Sequence, residues 1–217
     1  MQISIMKKHL YKHCFAAAIL FVSLAGNAQK TFKINSPAKK NELVFELTKT
    51  GQPQYRFSAN GKSVIEPSLM GFEFQGLPKM TEGFRVVDTE QKSVNQTWEQ
   101  PWGEFRKIAD KHNELIVHLQ EEKGEKRLVD IIFRVFDDGL GFRYFFPKQP
   151  NLGKVKIANE VTEFAFKDDN EVWWAPVHGE NSYYESYYRK TAMSKTDTIN
   201  TPATFEIKNK LYIAIHE

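Results

Sequence analysis

Two pairs of glutamates have the residue type and proximity that acid–base chemistry requires. Glu99 and Glu104 are five residues apart beside tryptophans, and Glu180 and Glu185 have the same spacing beside tyrosines. Hydrolysis of a glycosidic bond, for example, needs two carboxyl groups about 5 Å apart for retention or about 6.5–9.5 Å apart for inversion. An extended chain would hold Glu99 and Glu104 about 17 Å apart on opposite faces. Only a bend at Pro101 and Gly103 could bring these two carboxyl groups together, and the sequence does not constrain the geometry of Glu180 and Glu185 in their predicted loop, so we assign neither pair as catalytic.

Each pair also has a purely structural interpretation. Trp98 and Trp102 could pack together while their neighbouring glutamates are hydrogen-bonded or solvated. Glu185 could supply one oxygen to a hard cation such as calcium, which takes carboxylate ligands. It could equally be a surface glutamate beside aromatic core residues. Glu180 and Asn181 are fallback candidates for the same ligand, and the residues alone leave these alternatives open.

An aromatic stretch, residues 171–201, surrounds the second pair. We expect a long irregular loop there, because strand-like alternation is sparse. Its rings could stack on the C–H faces of sugars, although such residues more often pack in a core or an interface. They are Trp173, Trp174, Tyr183, Tyr184, Tyr187 and Tyr188. The pattern assigns none of them to substrate binding.

Other chemistries have little support in the sequence. His112, His118, His178 and His216 are scattered without metal-ligand spacing. The chain has no Gly-x-Ser-x-Gly elbow, phosphate-binding loop or dinucleotide fingerprint. These absences argue against the common nucleophilic, nucleotide-dependent and zinc-dependent mechanisms.

The N-terminal residues have the pattern of a cleaved secretory leader. Three lysines precede an apolar run over residues 15–24, and the small-residue string Gly26-Asn27-Ala28 follows it. The run is about half the roughly 20 residues that a membrane-spanning helix needs. We therefore predict a signal peptide over residues 1–28, no membrane span, and a periplasmic or secreted location.

Cleavage of this leader changes the charge of the chain. The sequence has 30 Lys and Arg against 27 Asp and Glu, and the three surplus cations are the lysines of the leader. The mature chain would be close to neutral, which argues against a basic nucleic-acid surface. The single cysteine, Cys14, also lies in the leader. The remaining residues must fold without disulfides, and they suffice for one domain.

Short segments of alternating apolar residues recur along the chain, with Gly and Pro between them. This spacing is typical of strands, and sustained helical periodicity is absent outside the leader. The sequence therefore predicts an all-β domain. The predicted strands cover residues 42–48, 54–57, 69–74, 84–87, 105–109, 114–120, 126–136, 140–146 and 210–216.

The clearest local prediction is a hairpin around Asp137-Asp138-Gly139. We expect Asp-Gly to supply the positive φ of a tight turn. On the first strand, Val129, Ile131, Phe133 and Val135 share one face and should be core. Arg134 and Arg143 are interpreted as ion-pair or hydrogen-bonding partners of the two aspartates. Such a hairpin suits a large curved sandwich.

Several strings occur in one order over nearly all of residues 29–217. They are Asn35-Ser36-Pro37, Trp98–Glu104, Phe133–Tyr144, a predicted strand at Glu163-Phe164, Tyr184-Glu185 and Tyr212–Glu217. In this order they resemble the N-terminal domain of glycoside hydrolase family 97. The Trp-Gly-Glu and Asp-Asp-Gly-x-Gly-Phe-Arg-Tyr strings are the specific ones.

The resemblance implies a β-super-sandwich of mostly antiparallel strands, followed in the complete enzyme by a catalytic (β/α)₈ barrel and a small β domain. Members of the family release α-linked glucose or galactose from oligosaccharides. In calcium-dependent members the N-terminal domain contributes one glutamate to a site that the barrel completes, which implies Glu185 as a calcium ligand here. Because the chain stops directly after a predicted strand, we expect a truncated domain that is inactive alone and normally packs on the barrel.

A second interpretation belongs to a different class. The chain could be a free-standing carbohydrate-binding or scaffold protein that uses the aromatic stretch as its platform. The DNA downstream of the Glu217 codon discriminates between the two. A long open frame with βα alternation would support the enzyme fragment, and a genuine stop would support the free-standing protein.

Overall fold

The computed structural model describes residues 30–177, 186–208 and 211–216, and the predicted signal peptide lies outside them. The described residues form fourteen strands and one short 3₁₀ turn. In chain order the strands are β1 (Thr31–Asn35), β2 (Asn41–Leu47), β3 (Pro53–Ala59), β4 (Lys62–Leu69), β5 (Phe72–Phe74), β6 (Phe84–Glu99), β7 (Lys107–Glu121), β8 (Leu128–Val135), β9 (Leu140–Phe145), β10 (Ile157–Glu160), β11 (Glu171–Pro176), β12 (Arg189–Ala192), β13 (Ile199–Ile207) and β14 (Leu211–Ile215).

The strands form four antiparallel sheets. Three have four strands, in the orders β1-β2-β3-β4, β6-β7-β8-β9 and β12-β11-β13-β14, and the fourth pairs β10 with β5. Consecutive strands are neighbours throughout the first two sheets, because short turns join them into meanders. The all-β, antiparallel prediction is confirmed.

The first two sheets share one hydrophobic core and so form a sandwich. Alternate residues of each strand point inward, as period-two side-chain geometry requires. Phe45 and Tyr55 of the first sheet contact Phe133 of the second, with ring centroids 6.0 and 6.2 Å apart. The ring of Tyr55 also lies 5.5 Å from that of Phe142. Aromatic contacts at these distances add to the free energy gained from area burial.

The predicted hairpin is present as β8 and β9, which pair from Val135–Leu140 onward. Its core face is also confirmed, because Val129, Ile131, Phe133 and Val135 are all buried. The turn mechanism was wrong. Neither Asp138 nor Gly139 has a positive φ, and the loop closes through a hydrogen bond from the Phe136 N–H to the Gly139 carbonyl (2.9 Å). The sequence pattern was right about the pairing and wrong about the turn type.

The two arginines near this hairpin have other partners than the predicted aspartates. Arg134 Nε donates to Glu114 Oε2 (2.7 Å), and Arg143 lies over the Phe145 ring at 5.9 Å. Asp137 instead accepts a hydrogen bond from the Ala38 N–H (2.8 Å). The carboxylate therefore ties the β1–β2 connection to the β8–β9 turn.

The long β6–β7 hairpin was predicted only in pieces. The two strands pair continuously from Phe84–Glu121 to Glu99–Lys107. The outer half of this ribbon has polar residues on both faces, which hides the strand periodicity on which a sequence reading depends. The result is a ribbon that extends beyond the sheet to which it belongs.

Two further expectations were wrong. The stretch 171–201 is not a continuous irregular loop, because β11, β12 and the start of β13 lie within it. Glu163-Phe164 is not in a strand. Glu163 uses its side chain to accept a hydrogen bond from the Leu69 N–H (3.0 Å), and its carbonyl accepts one from the Tyr55 hydroxyl (2.9 Å). Both contacts fix this segment across the first sheet.

Candidate functional site

The predicted calcium ligand lies between two strands that the structure describes. Glu185, Glu180, Asn181, Tyr183 and Tyr184 all lie outside the described residues. β11 ends before them and β12 begins after them, and these strands pair with each other from Glu171–Ala192 to Trp174–Arg189.

The two neighbouring tryptophans of β11 lie on opposite faces of this sheet. Trp174 is buried, with 2% of its surface exposed. Its indole N–H donates to Thr191 Oγ1 (3.0 Å), and the Arg189 guanidinium lies over the ring at 5.5 Å. Trp173 is 43% exposed. Only Trp173 can therefore contact a partner or a ligand, and Trp174 is a core residue.

A single lysine organises the exposed face around Trp173. Lys190 Nζ lies 2.6 Å from a Glu171 oxygen and 2.9 Å from a Glu206 oxygen, and 5.1 Å from the centroid of the Trp173 ring. The Tyr212 hydroxyl donates to the other Glu206 oxygen (3.3 Å). These five residues, which we call the Lys190 face, come from all four strands of the sheet.

Hydrogen bonding determines the charge state of the Lys190 face. Bonds to Glu171 and then to Glu206 hold the pKa of Lys190 above its usual range. The same lysine lowers the pKa of Glu206. Glu171 and Glu206 are both ion-paired with Lys190. The Lys190 face therefore combines one exposed aromatic ring with paired charged groups.

Tyr187 and Tyr188 extend the exposed aromatic surface next to this face. Both side chains are exposed and directly precede β12. The alternative interpretation placed these tyrosines in the core, and it is wrong for Tyr187 and Tyr188. Sequence reasoning missed Lys190, because its partners lie on other strands and only strand pairing brings them together.

The two members of the first glutamate pair have different surroundings. Glu99 accepts a hydrogen bond from Arg106 Nε (3.0 Å), and Glu104 is exposed in the loop that joins β6 to β7. The structural interpretation of the tryptophans was also wrong, because Trp98 and Trp102 are 47% and 81% exposed rather than packed. That this pair is not catalytic stays a prediction.

The buried histidine belongs to a structural network on the outer face of β7. His112 Nδ1 lies 2.5 Å from Asp110, and its ring packs on Phe136 at 4.9 Å. Glu114 is paired with Lys92 (2.8 Å) and with Arg134 (2.7 Å). Across the described residues, no group of three His, Cys, Asp or Glu side chains could hold a metal ion.

A cleft opens between two edge strands, β9 and β14. It has a volume of about 1090 Å³. Its walls include Phe142 and Tyr144 of β9, and Leu211 and Ile213 of β14. All four are only partly buried, although they pack against the main core. The cleft therefore exposes one margin of the core to solvent.

The fold defines the chain as an antiparallel β-sandwich domain that presents an aromatic and charged surface. No helix among the described residues has the length and apolar character needed to cross a membrane. Comparison with known proteins identifies the domain further. The family model described as "Glycosyl-hydrolase 97 N-terminal" matches residues 34–217, which is most of the chain. The chain therefore belongs to glycoside hydrolase family 97, as an N-terminal domain.

Individual relatives agree with this assignment. The chain is 25% identical over 197 residues to a probable retaining alpha-galactosidase of Streptomyces bingchenggensis (strain BCW-1), covering 88% of this chain and 30% of the relative. A family 97 enzyme from Pseudoalteromonas sp. strain K8, solved in complex with panose, is 33% identical with a TM-score of 0.80, covering 85% of this chain and 28% of the enzyme.

A third relative shows the fold alone. The crystal structure of a beta-arabinopyranosidase is 23% identical with a TM-score of 0.76, covering 84% of this chain and 31% of that one. The chain thus spans less than a third of the length of each of these relatives. The resemblance inferred from the sequence strings is confirmed at the level of the family and the domain.

Proposed function

We propose that this chain is the non-catalytic N-terminal domain of a periplasmic or secreted α-glycosidase, of the α-glucosidase or α-galactosidase type. The observation that carries the proposal is the family match over residues 34–217. The relative named as an alpha-galactosidase and the neighbour solved with panose support an α-linked oligosaccharide as the substrate of the complete enzyme. The acid and base of catalysis would lie on a barrel domain beyond this chain.

The domain would pack on that barrel through the surface next to β11 and β12. Trp173, Tyr187 and Tyr188 are exposed there. Aromatic residues are enriched in the cores of protein interfaces. Residue 185 follows β11 and precedes β12 in the chain, and docking would bring Glu185 to the rim of the active site, where it would bind calcium together with glutamates of the barrel.

Activity measurements test the domain assignment. The chain by itself should release no p-nitrophenol from α-glucoside or α-galactoside substrates, because the acid and base of catalysis would lie on the barrel. The longer protein with its barrel should release it. Turnover by the chain alone that disappears in Glu185→Gln would overturn the proposal.

Calcium binding tests the residue assignment. One carboxylate cannot satisfy the six to eight oxygen ligands that calcium takes, so the chain alone should bind the ion weakly or not at all in calorimetry. In the longer protein, Glu185→Gln should lower calcium affinity and activity together, and excess calcium should restore part of the rate. Glu180→Gln and Asn181→Ala are the matched controls. If a control variant loses calcium affinity and Glu185→Gln does not, the assignment of the ligand to Glu185 is wrong.

A further inference from the structure

The outer part of the β6–β7 ribbon projects beyond its sheet. β8 pairs with β7 only from Asn113 to Gln120, whereas β6 and β7 pair as far as Glu99–Lys107. Within the described residues, the outer half of the ribbon thus has no third strand beside it. We call the loop and its flanking residues, 98–106, the hairpin tip.

Three hydrogen bonds hold the hairpin tip in one conformation. The Gln100 N–H donates to the Arg106 carbonyl (3.0 Å), and Gln100 Nε2 donates to the Phe105 carbonyl (2.8 Å). Arg106 Nε donates to Glu99 Oε2 (3.0 Å). Gly103 has φ of 109°, and a Cβ there would lie 2.7 Å from Gln100 Nε2. A loop with this many constraints is preorganised, which lowers the entropy cost of binding.

The same loop places aromatic rings in water. Trp98, Trp102 and Phe105 are 47%, 81% and 67% exposed. Beside the Trp102 indole lies a hollow of about 500 Å³, which the side chains of Glu99, Gln100 and Arg106 also line. Ligand sites for small molecules typically measure about 300–1,000 Å³ and combine apolar rings with a few polar groups. The hairpin tip has this composition.

We infer that the hairpin tip is a surface binding site for an α-linked oligosaccharide, separate from the Lys190 face. The apolar C–H face of a pyranose would pack against the exposed face of the Trp102 indole. Its hydroxyls would exchange hydrogen bonds with Glu99, which accepts, and with Arg106, whose guanidinium has five N–H donors. The function would be to hold substrate near the enzyme.

Other ligand classes fit this surface less well. Nucleic acid is disfavoured because Glu99 and Glu104 balance the cations Arg106 and Lys107, so the tip has no net attraction for phosphates. A protein surface would bury the rings, but it would not need a hollow with polar side chains beside them. The choice of α-linked sugars among pyranoses rests on the proposed function.

Tryptophan fluorescence tests the inference on the chain as it exists. The chain has four tryptophans, and Trp102 is more exposed than Trp98, Trp173 or Trp174. Titration with maltotriose or raffinose should give saturable quenching. Trp102→Ala should weaken the fitted affinity about tenfold or more, which corresponds to about 1.4 kcal/mol. The matched control Trp173→Ala removes an exposed indole from another sheet and should leave the affinity unchanged.

A second variant separates stacking from the mere presence of an indole. Gly103→Ala keeps all the aromatic rings but forces Gln100 to move, and should also weaken binding. Sorbitol, which has hydroxyls but no ring, should not quench. Three outcomes would each overturn the inference. They are saturable quenching that survives Trp102→Ala, binding of cellotriose but not of α-linked sugars, and Trp102-dependent self-association without sugar binding. These outcomes are read independently of the activity measurements that test the domain assignment.

Discussion

At the scale of single residues, a buried ion pair anchors the β7–β8 turn. Arg127 is almost fully buried. Its Nε donates to Glu121 Oε2 (2.7 Å), and its Nη2 pairs with the other oxygen. The same guanidinium donates to the Pro78 carbonyl (2.9 Å). This two-pronged geometry compensates the desolvation of both charges, and it joins the turn to the segment before β6.

Removal of one partner should therefore be costly. Glu121→Ala leaves the Arg127 charge buried and unpaired, and we expect a loss of about 3–5 kcal/mol in the free energy of unfolding, measured with urea. Glu122→Ala removes an exposed carboxylate and should change stability by less than about 0.5 kcal/mol. The double variant Glu121→Ala, Arg127→Met should recover part of the loss. Equal effects of the Glu121 and Glu122 substitutions would contradict this account.

A histidine should make stability depend on pH. Burial acts to lower the pKa of His118, but hydrogen bonds to Asp130 (2.8 Å) and Glu90 (3.3 Å) outweigh it, and the pKa is raised. The stabilisation is thus fully present below the unfolded value of about 6.5 and is lost as pH rises through the folded pKa. His118→Gln should lower the thermal midpoint more at pH 5.5 than at pH 8.5. A difference that is the same at both pH values would rule out the linkage.

At the scale of elements, the β2–β3 turn is joined to the start of β6. Gly51 has φ of 76°, and its N–H and carbonyl belong to a compact network. The Phe84 N–H donates to the Gly51 carbonyl (2.9 Å), and the Gly83 N–H donates to the Thr50 carbonyl (2.9 Å). A Cβ at Gly51 would lie 2.7 Å from both the nitrogen and the oxygen of Phe84. Close backbone contact thus connects the two sheets of the sandwich.

Two glycine substitutions separate this contact from backbone strain. Gly61 has a similar φ of 73°, but a Cβ there would meet nothing within 4 Å. Gly61→Ala should therefore lower the free energy of unfolding by only about 1–2 kcal/mol, because alanine is strained in the left-handed conformation. Gly51→Ala should cost that amount and about 1–3 kcal/mol more, because the backbone of Phe84 must move. Chemical denaturation measures the loss of unfolding free energy in each variant. Equal losses would show that the backbone of Phe84 moves away from the new Cβ at no cost.

At the scale of the whole molecule, several apolar surfaces are exposed together. The cleft between β9 and β14 leaves Phe142 and Ile213 partly buried. Trp173, Tyr187 and Tyr188 are exposed on another surface. Monomeric proteins rarely expose contiguous apolar patches larger than a few hundred Å², and larger patches usually mark interfaces. Trp174 is buried and is not part of this surface, although the adjacent Trp173 is exposed.

The chain alone should consequently bind hydrophobic dyes and associate with itself. We expect enhanced fluorescence of 8-anilinonaphthalene-1-sulfonate and a sedimentation coefficient that rises with concentration. In the longer protein, docking of the barrel should reduce dye binding. A monodisperse chain without dye binding would show that these surfaces need no partner.

Much of the sandwich could be predicted from the sequence alone. Val129, Ile131, Phe133 and Val135 recur at every second position, as on a strand that buries one face, and all four are buried. The family could be inferred from ordered strings such as Trp98–Glu104, and the comparison confirmed it over residues 34–217. Both kinds of information are local, because each depends on neighbouring residues in the chain.

Only the tertiary structure decided which aromatic and charged residues are exposed and which are paired. Trp173 and Trp174 point to opposite faces because neighbouring residues of a strand alternate, but only the packing of the sheet decided that Trp174 is buried and Trp173 exposed. Lys190 meets Glu171 and Glu206 across three strands, and Arg134 pairs with Glu114 rather than with the aspartates near it in the chain. These contacts join residues 16 to 20 positions apart. Local patterns cannot specify such pairs, since long-range strand pairing determines them.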